Sequence, residues 1–217
     1  MTKGRIPRIT APAKTDLVIM KVGPFSGFTT TEGSPVEDFF SHIPSPVILT
    51  GDGRVTKNAW MPASAARAPG VKPATYVDHG ISGAWQFADG QEEYIHTNLM
   101  VPDDMDLSED SAICIGWSST TTSQDCDWEI AYLITAVDGD TSAAATATEQ
   151  SYEESSSVAE GLIRSGFCVI AGGTIGATDV CLHVQIMRDG NDGSDDLGAA
   201  AEIHGIVLSY TANKIGT

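Results

Sequence analysis

Nine of the chain's ten prolines lie before residue 83: Pro7, Pro12, Pro24, Pro35, Pro44, Pro46, Pro62, Pro69 and Pro73. The tenth is Pro102. A proline lacks a backbone donor and pushes the residue before it out of the helical region. Prolines spaced this closely disfavour long helices and strands, so residues 1–82 read as irregular chain. Short apolar patches interrupt it at 17–22, at Phe39 and Phe40, and at 47–49. A stretch of about 80 residues without regular structure is unusual inside a compact domain. An extended arm that becomes ordered on a partner accounts for it better.

From Gly83 the texture changes. Strand-like runs are expected at 84–88, 93–101, 112–118, 127–136, 162–171, 179–188 and 202–211. Turn-forming residues separate them, as at Pro102, Gly139, Gly172 and Gly173. Period-two alternation is clearest in the sixth run. Val180, Leu182, Val184 and Ile186 share one face, and Cys181, His183, Gln185 and Met187 share the other. In the fourth run Trp128, Ile130, Tyr132 and Ile134 share a face. Residues 141–158, TSAAATATEQSYEESSSV, read as an exposed loop or a ragged edge strand. Strands do not alternate with helices, so a parallel α/β fold is disfavoured. Seven or eight short strands predict an all-β protein, an antiparallel jelly-roll β-sandwich at 83–217 carrying an extended, Pro-rich arm at 1–82.

The 41% of apolar residues, against 19% charged, is too high for disorder throughout. The formal charge of −17 is unevenly placed. Residues 1–72 hold nine basic and five acidic residues, whereas 73–217 hold three basic and 24 acidic ones. A body this acidic argues against nucleic acid as a partner, because phosphates are neutralised by Lys and Arg. The mildly basic arm fits an interaction segment on a differently charged body. Its candidate contact residues are Lys3, Arg5, Arg8, Lys14, Lys21, Phe39, Phe40 and Trp60. Two readings stand for Trp60: an anchor in a partner's pocket, or packing against its own sandwich. Trp85, Trp117 and Trp128 fall on expected strands and read as core. No apolar run approaches the roughly 18 residues of a membrane span, and no apolar segment follows the charged N-terminus. Synthesis in a cytosol and no membrane partner are the expectations.

Motifs that carry chemistry are missing. The five histidines lack H-x-H and H-E-x-x-H spacing. His96, His183 and His204 sit on three different expected strands, and their convergence as a metal triad is disfavoured. The acidic loop at 189–196 fails the EF-hand pattern and reads as a polar turn; the cluster Asp103, Asp104 and Asp106 reads the same way. If both loops share one end of the sandwich, a joint cation site gains weight. The four cysteines form no C-x-x-C pair and read as buried thiols, although a hairpin about Gly172 and Gly173 would bring Cys168 and Cys181 face to face. No nucleophile elbow or phosphate loop is present. Neither enzyme activity, metal nor cofactor is expected.

Several stretches carry a resemblance: GAWQF at 83–87, LMVPDDMD at 99–106, ICIGWS at 113–118, DWEI at 127–130, QIMRDG at 185–190 with DDL at 195–197, and IVLSYT at 206–211. Over roughly 83–213 the chain resembles virion jelly-roll proteins of tailed phages, which cement or decorate capsids or form head fibres. The resemblance implies a non-enzymatic structural protein of the virion, assembled in host cytoplasm. It would bind the major capsid protein and neighbouring copies of itself as a homotrimer. The alternative is a receptor-binding or carbohydrate-binding jelly-roll protein of a head or tail fibre, since one fold serves many roles.

Overall fold

The computed structural model describes residues 47–48 and 54–215. Its strands are β1 (Val47–Ile48), β2 (Val55–Pro62), β3 (Thr75–Asp78), β4 (Gly83–Phe87), β5 (Glu92–Met100), β6 (Ser111–Ser119), β7 (Asp125–Ala136), β8 (Ala147–Glu154), β9 (Ile163–Ile170), β10 (Asp179–Asp189), β11 (Ala201–Ala212) and β12 (Lys214–Ile215). A 3-10 turn, Ala63–Ala65, follows β2. Among the described residues no helix is long and apolar enough to cross a membrane.

Two sheets carry the architecture. One has the order β5-β10-β7-β8, and the other the order β3-β4-β11-β6-β9, with β2 also paired to β11. The eight strands from β4 to β11 pair in antiparallel ladders. Their orders, 4-11-6-9 and 5-10-7-8, place most successive strands in opposite sheets, and this is the strand order of a jelly roll. The chain divides into two compact units, 1–55 with 212–217 and 56–211. In the first, β1 and β12 form a short ladder with Val47 opposite Ile215. The sandwich belongs to the second.

The alternation read from the sequence sets the faces. Leu182, Val184 and Ile186 of β10 point inward, in register with Ile130 and Ile134 of β7 and with Ile95 and Leu99 of β5. The opposite sheet contributes Ile113, Ile115, Trp117, Ile203, Ile206 and Leu208, all fully buried. Trp128 meets Phe87 and Trp117 edge to face, with ring centroids 5.1 and 5.6 Å apart. Burying side chains of this size contributes about 1.5–3 kcal/mol each, and crossed rings add a further ~1 kcal/mol. Trp85 is buried too and donates its indole N–H to the Ala63 carbonyl at 2.8 Å.

Regular structure begins earlier than the prolines led one to expect. β2 and β3 both precede residue 83 and join the six-stranded sheet. Between them, residues 67–74 run along the edge of β5, where Arg67 and His96 exchange backbone hydrogen bonds of 2.8 and 2.9 Å. Pro62 ends a strand, while Pro69 and Pro73 lie on an edge, positions where a missing donor costs little. β8 is the edge strand that the Ala- and Ser-rich segment left open. β9 and β10 lie in different sheets and form no hairpin, so Cys168 and Cys181 do not face each other, and all four cysteines are free thiols. Burial pushes the Cys168 thiol up to about 12.

Candidate binding site on the outer face of the six-stranded sheet

The outward side chains of β4, β11 and β6 stand in register. Glu202 lies opposite Gln86 on one side and Ser118 on the other. One pleat along, Gly205 pairs with Gly116, and Gly116 pairs with Arg164 of β9. The ladder of β6 and β11 shifts between Ile203 and Gly205, which leaves His204 at a bulge between the two rows. A polar row and a glycine row therefore lie side by side, about 7 Å apart at ~3.4 Å per residue.

The polar row is knit together. Gln86 donates its amide to Glu202 Oε1 at 3.1 Å, and His79 Nε2 lies 3.0 Å from Glu202 Oε2. Ser118 Oγ lies 2.8 Å from His204 Nε2, and the His79 and His204 rings are 6.4 Å apart. Burial holds the His204 imidazole below the usual histidine value; Glu202 opposes this and His79 adds to it. Ser118 and His204 form a hydroxyl–imidazole pair. The Glu202 carboxylate is engaged by His79 and Gln86, however, so no serine–histidine–acid relay is assembled. These residues line a depression of about 290 Å³ together with Ser119, Thr120 and Glu160. A second depression of about 390 Å³, with Tyr76 and Pro62 in its wall, shares Ser82 and His204 with the first.

Trp60 of β2 covers the glycine row. A Cβ built on Gly205 would stand 2.5 and 2.6 Å from Trp60 Cη2 and Cε2, with Cζ2 nearer still. Those are the distances of a ring lying face down on the backbone. A Cβ on Gly116 would meet Cη2 at 3.1 Å. The other face of the indole is open, and Trp60 is 53% exposed. Of the two sequence readings, packing on its own sandwich holds for one face of the ring only. Arg164 and Asn58, joined by a 2.8 Å hydrogen bond, and Leu162 flank this shelf. A further contact ties β2 down: Lys57 pairs with Asp104, which also accepts a 3.0 Å hydrogen bond from Tyr210. Burial alone would raise the Asp104 carboxyl, but the Lys57 ammonium and the Tyr210 hydroxyl outweigh it and hold it below the usual value.

Of the remaining arm residues singled out in the sequence, Lys3, Arg5, Arg8, Lys14, Lys21, Phe39 and Phe40 lie outside the described residues. The three strand histidines do not converge. His96 and His183 occupy the outer face of the four-stranded sheet, where His183 contacts Asn98 and Thr135, while His204 lies on the other sheet. The two acidic segments lie at opposite ends of β5, which starts opposite Asp189 and ends just before 103–106. Among the described residues no group of three or more His, Cys, Asp and Glu side chains is arranged to hold a metal ion. The acidic loop instead folds around Arg188. This side chain is fully buried and forks onto Asp195 at 2.8 and 2.9 Å. It also donates to the carbonyls of Leu197 and Ala199 at 2.6 and 2.7 Å. The sequence carries a signal for this contact: an isolated arginine at the end of an apolar strand, seven residues before a carboxylate.

No protein-family model and no curated protein matches the chain. Solved structures with low likeness include a structure of infectious bursal disease virus, Gx strain (12% identity, 73% of this chain and 32% of the other, TM-score 0.36). Two others are the xylan-binding module CBM15 (13%, 73% and 97%, 0.37) and a family 35 carbohydrate-binding module from Clostridium thermocellum (13%, 76% and 97%, 0.34). The chain spans about a third or less of the first three structures matched. The fold assignment rests on the strand order given above, not on these likenesses.

Proposed function

We propose that the protein is a non-enzymatic structural component of a tailed-phage virion, a decoration protein that holds an acidic jelly-roll body on the capsid through its N-terminal arm. The observation that carries this reading is the partition of charge. Residues 1–21 hold five basic residues and one acid, whereas the 24 acids after residue 72 face only three basic residues. An acidic body repels other particles and keeps them apart in solution, while a basic, apolar-spotted arm suits an acidic and grooved shell. Ordering such an arm costs about 1–2 kcal/mol per residue of backbone, which an extensive contact with the major capsid protein offsets. A homotrimer about a local threefold axis accords with the phage resemblance. Because β2 is part of the sandwich, the informative truncation removes residues 1–46 and leaves the strand in place. The truncated protein is expected to fold but to lose co-sedimentation with preformed capsids. Unchanged co-sedimentation would overturn the reading.

A further inference from the structure

We infer that the outer face of the six-stranded sheet binds an uncharged saccharide, stacked on Trp60 and hydrogen-bonded by Gln86, Glu202, His79, His204 and Ser118. This stands apart from the decoration reading and needs no capsid. The argument starts from two glycines. Gly116 and Gly205 face each other on two strands in the interior of the sheet, where each costs about 0.5–1 kcal/mol relative to alanine. What that cost yields is a shelf on which the Trp60 ring lies face down, held open on its upper side. A pyranose presents one face of C–H groups, which carry slight positive charge and settle on the negative face of an aromatic ring. Its hydroxyls then need donors and acceptors at the ring's edge.

The polar row supplies them about one pleat away. The amide and carboxylate of Gln86 and Glu202 each bond one another while keeping capacity to spare: Gln86 has its second N–H and its oxygen, and each Glu202 oxygen has a further lone pair. Fixed to one another, these groups lose little freedom when a ligand arrives. The depression they line is at the lower limit of ligand-site volumes, near 300 Å³, and is more polar than a site for an apolar molecule. Glu202 and Glu160 in its wall, on a body of strong negative charge, repel carboxylated or sulfated sugars.

The test uses the full-length chain and four soluble tetrasaccharides: neutral oligomers of glucose, xylose and mannose, and a uronic acid oligomer. Trp85, Trp117 and Trp128 are buried, so ligand stacking reports through Trp60 emission. At least one neutral tetrasaccharide is expected to give a saturable blue shift, with matching heat in calorimetry. Trp60→Ala should abolish the heat, Trp60→Phe should retain part of it, and Gln86→Ala should weaken binding about 10-fold. Circular dichroism checks that each variant is folded. Absence of saturable binding by all three neutral sugars, binding heat unchanged in Trp60→Ala, or tighter binding of the uronate would each overturn the inference.

Discussion

Arg188 shows how much a single side chain organises here. A guanidinium with no solvent access is tolerated only when its donors are taken, and Asp195, itself fully buried, takes two of them. Replacing Asp195 by alanine leaves that charge only the half-exposed Asp89, 3.7 Å away, and should cost about 3–5 kcal/mol, read as a lower urea midpoint at pH 7. Asp127 behaves in the opposite sense. Its carboxyl has no solvent access, Gln150 donates to one oxygen at 2.6 Å, and the other oxygen has no partner. Burial raises it to about 6; the Gln150 hydrogen bond opposes this, and Asp192, Asp189 and Asp195 add to the rise. The folded state thus holds a proton that the unfolded chain, titrating near 3.9, has released. Between about pH 4 and 6 the folded state binds more protons, so stability from this group falls as pH rises. Asp127→Asn should remove that slope. It is expected to raise stability at pH 7 by something on the order of 2 kcal/mol while changing little at pH 4, as thermal melts at the two pH values would show. The role of Asp127 is not visible in sequence, because Gln150 and the 189–195 loop that act on it are distant in the chain.

At the scale of elements, β2 is the informative case. It lies outside the regular jelly-roll set, yet three side chains bind it to the body: Lys57 through Asp104, Asn58 through Arg164, and Trp60 through the glycine shelf. A methyl group at Gly205 would overlap the indole. Gly205→Ala should therefore displace Trp60 and destabilise the protein by roughly 1–3 kcal/mol, the usual range for overpacking. The same substitution in a Trp60→Ala background should cost much less, and a double-mutant cycle in urea measures the difference. Additive effects would mean that the ring does not rest on that glycine. Much of the sandwich was legible because β10 buries Leu182, Val184 and Ile186 while Cys181, His183 and Gln185 on its other face stay part-exposed, which enforces alternation; β7 is buried on much of both faces. β8 was ambiguous because it is an edge strand whose outward positions are Thr148, Gln150, Tyr152 and Glu154, a composition that loops share. β2 was hidden by its neighbours, since proline density describes a region and strand pairing is decided residue by residue. The shelf itself left no signal in one dimension. It needs Trp60, Gly116 and Gly205 together, and nothing local links them.

For the molecule as a whole, charge separation has a measurable consequence. Attachment through a basic arm to an acidic surface is screened by salt, with a Debye length of about 10 Å at 0.1 M. Capsid co-sedimentation of the full chain is expected to fall as sodium chloride rises, whereas the saccharide site, built on stacking and hydrogen bonds, should be nearly indifferent to it. Measuring both in one salt series separates the two interactions.

The strand order has one more effect, and it concerns time. β11 lies between β4 and β6, so the middle of the six-stranded sheet stays vacant until the last sandwich strand exists. Its ladder partners β4 and β6 are made more than 80 residues earlier and must wait. Contacts this distant in sequence make folding slow. During synthesis the arm emerges well before the body can close, and the glycine shelf that seats Trp60 is complete only when Gly205 arrives. A chain stopped short of residue 201 would present an open, apolar sheet centre, a natural target for proteolysis. The fold thereby makes completion of the chain a condition for a stable body.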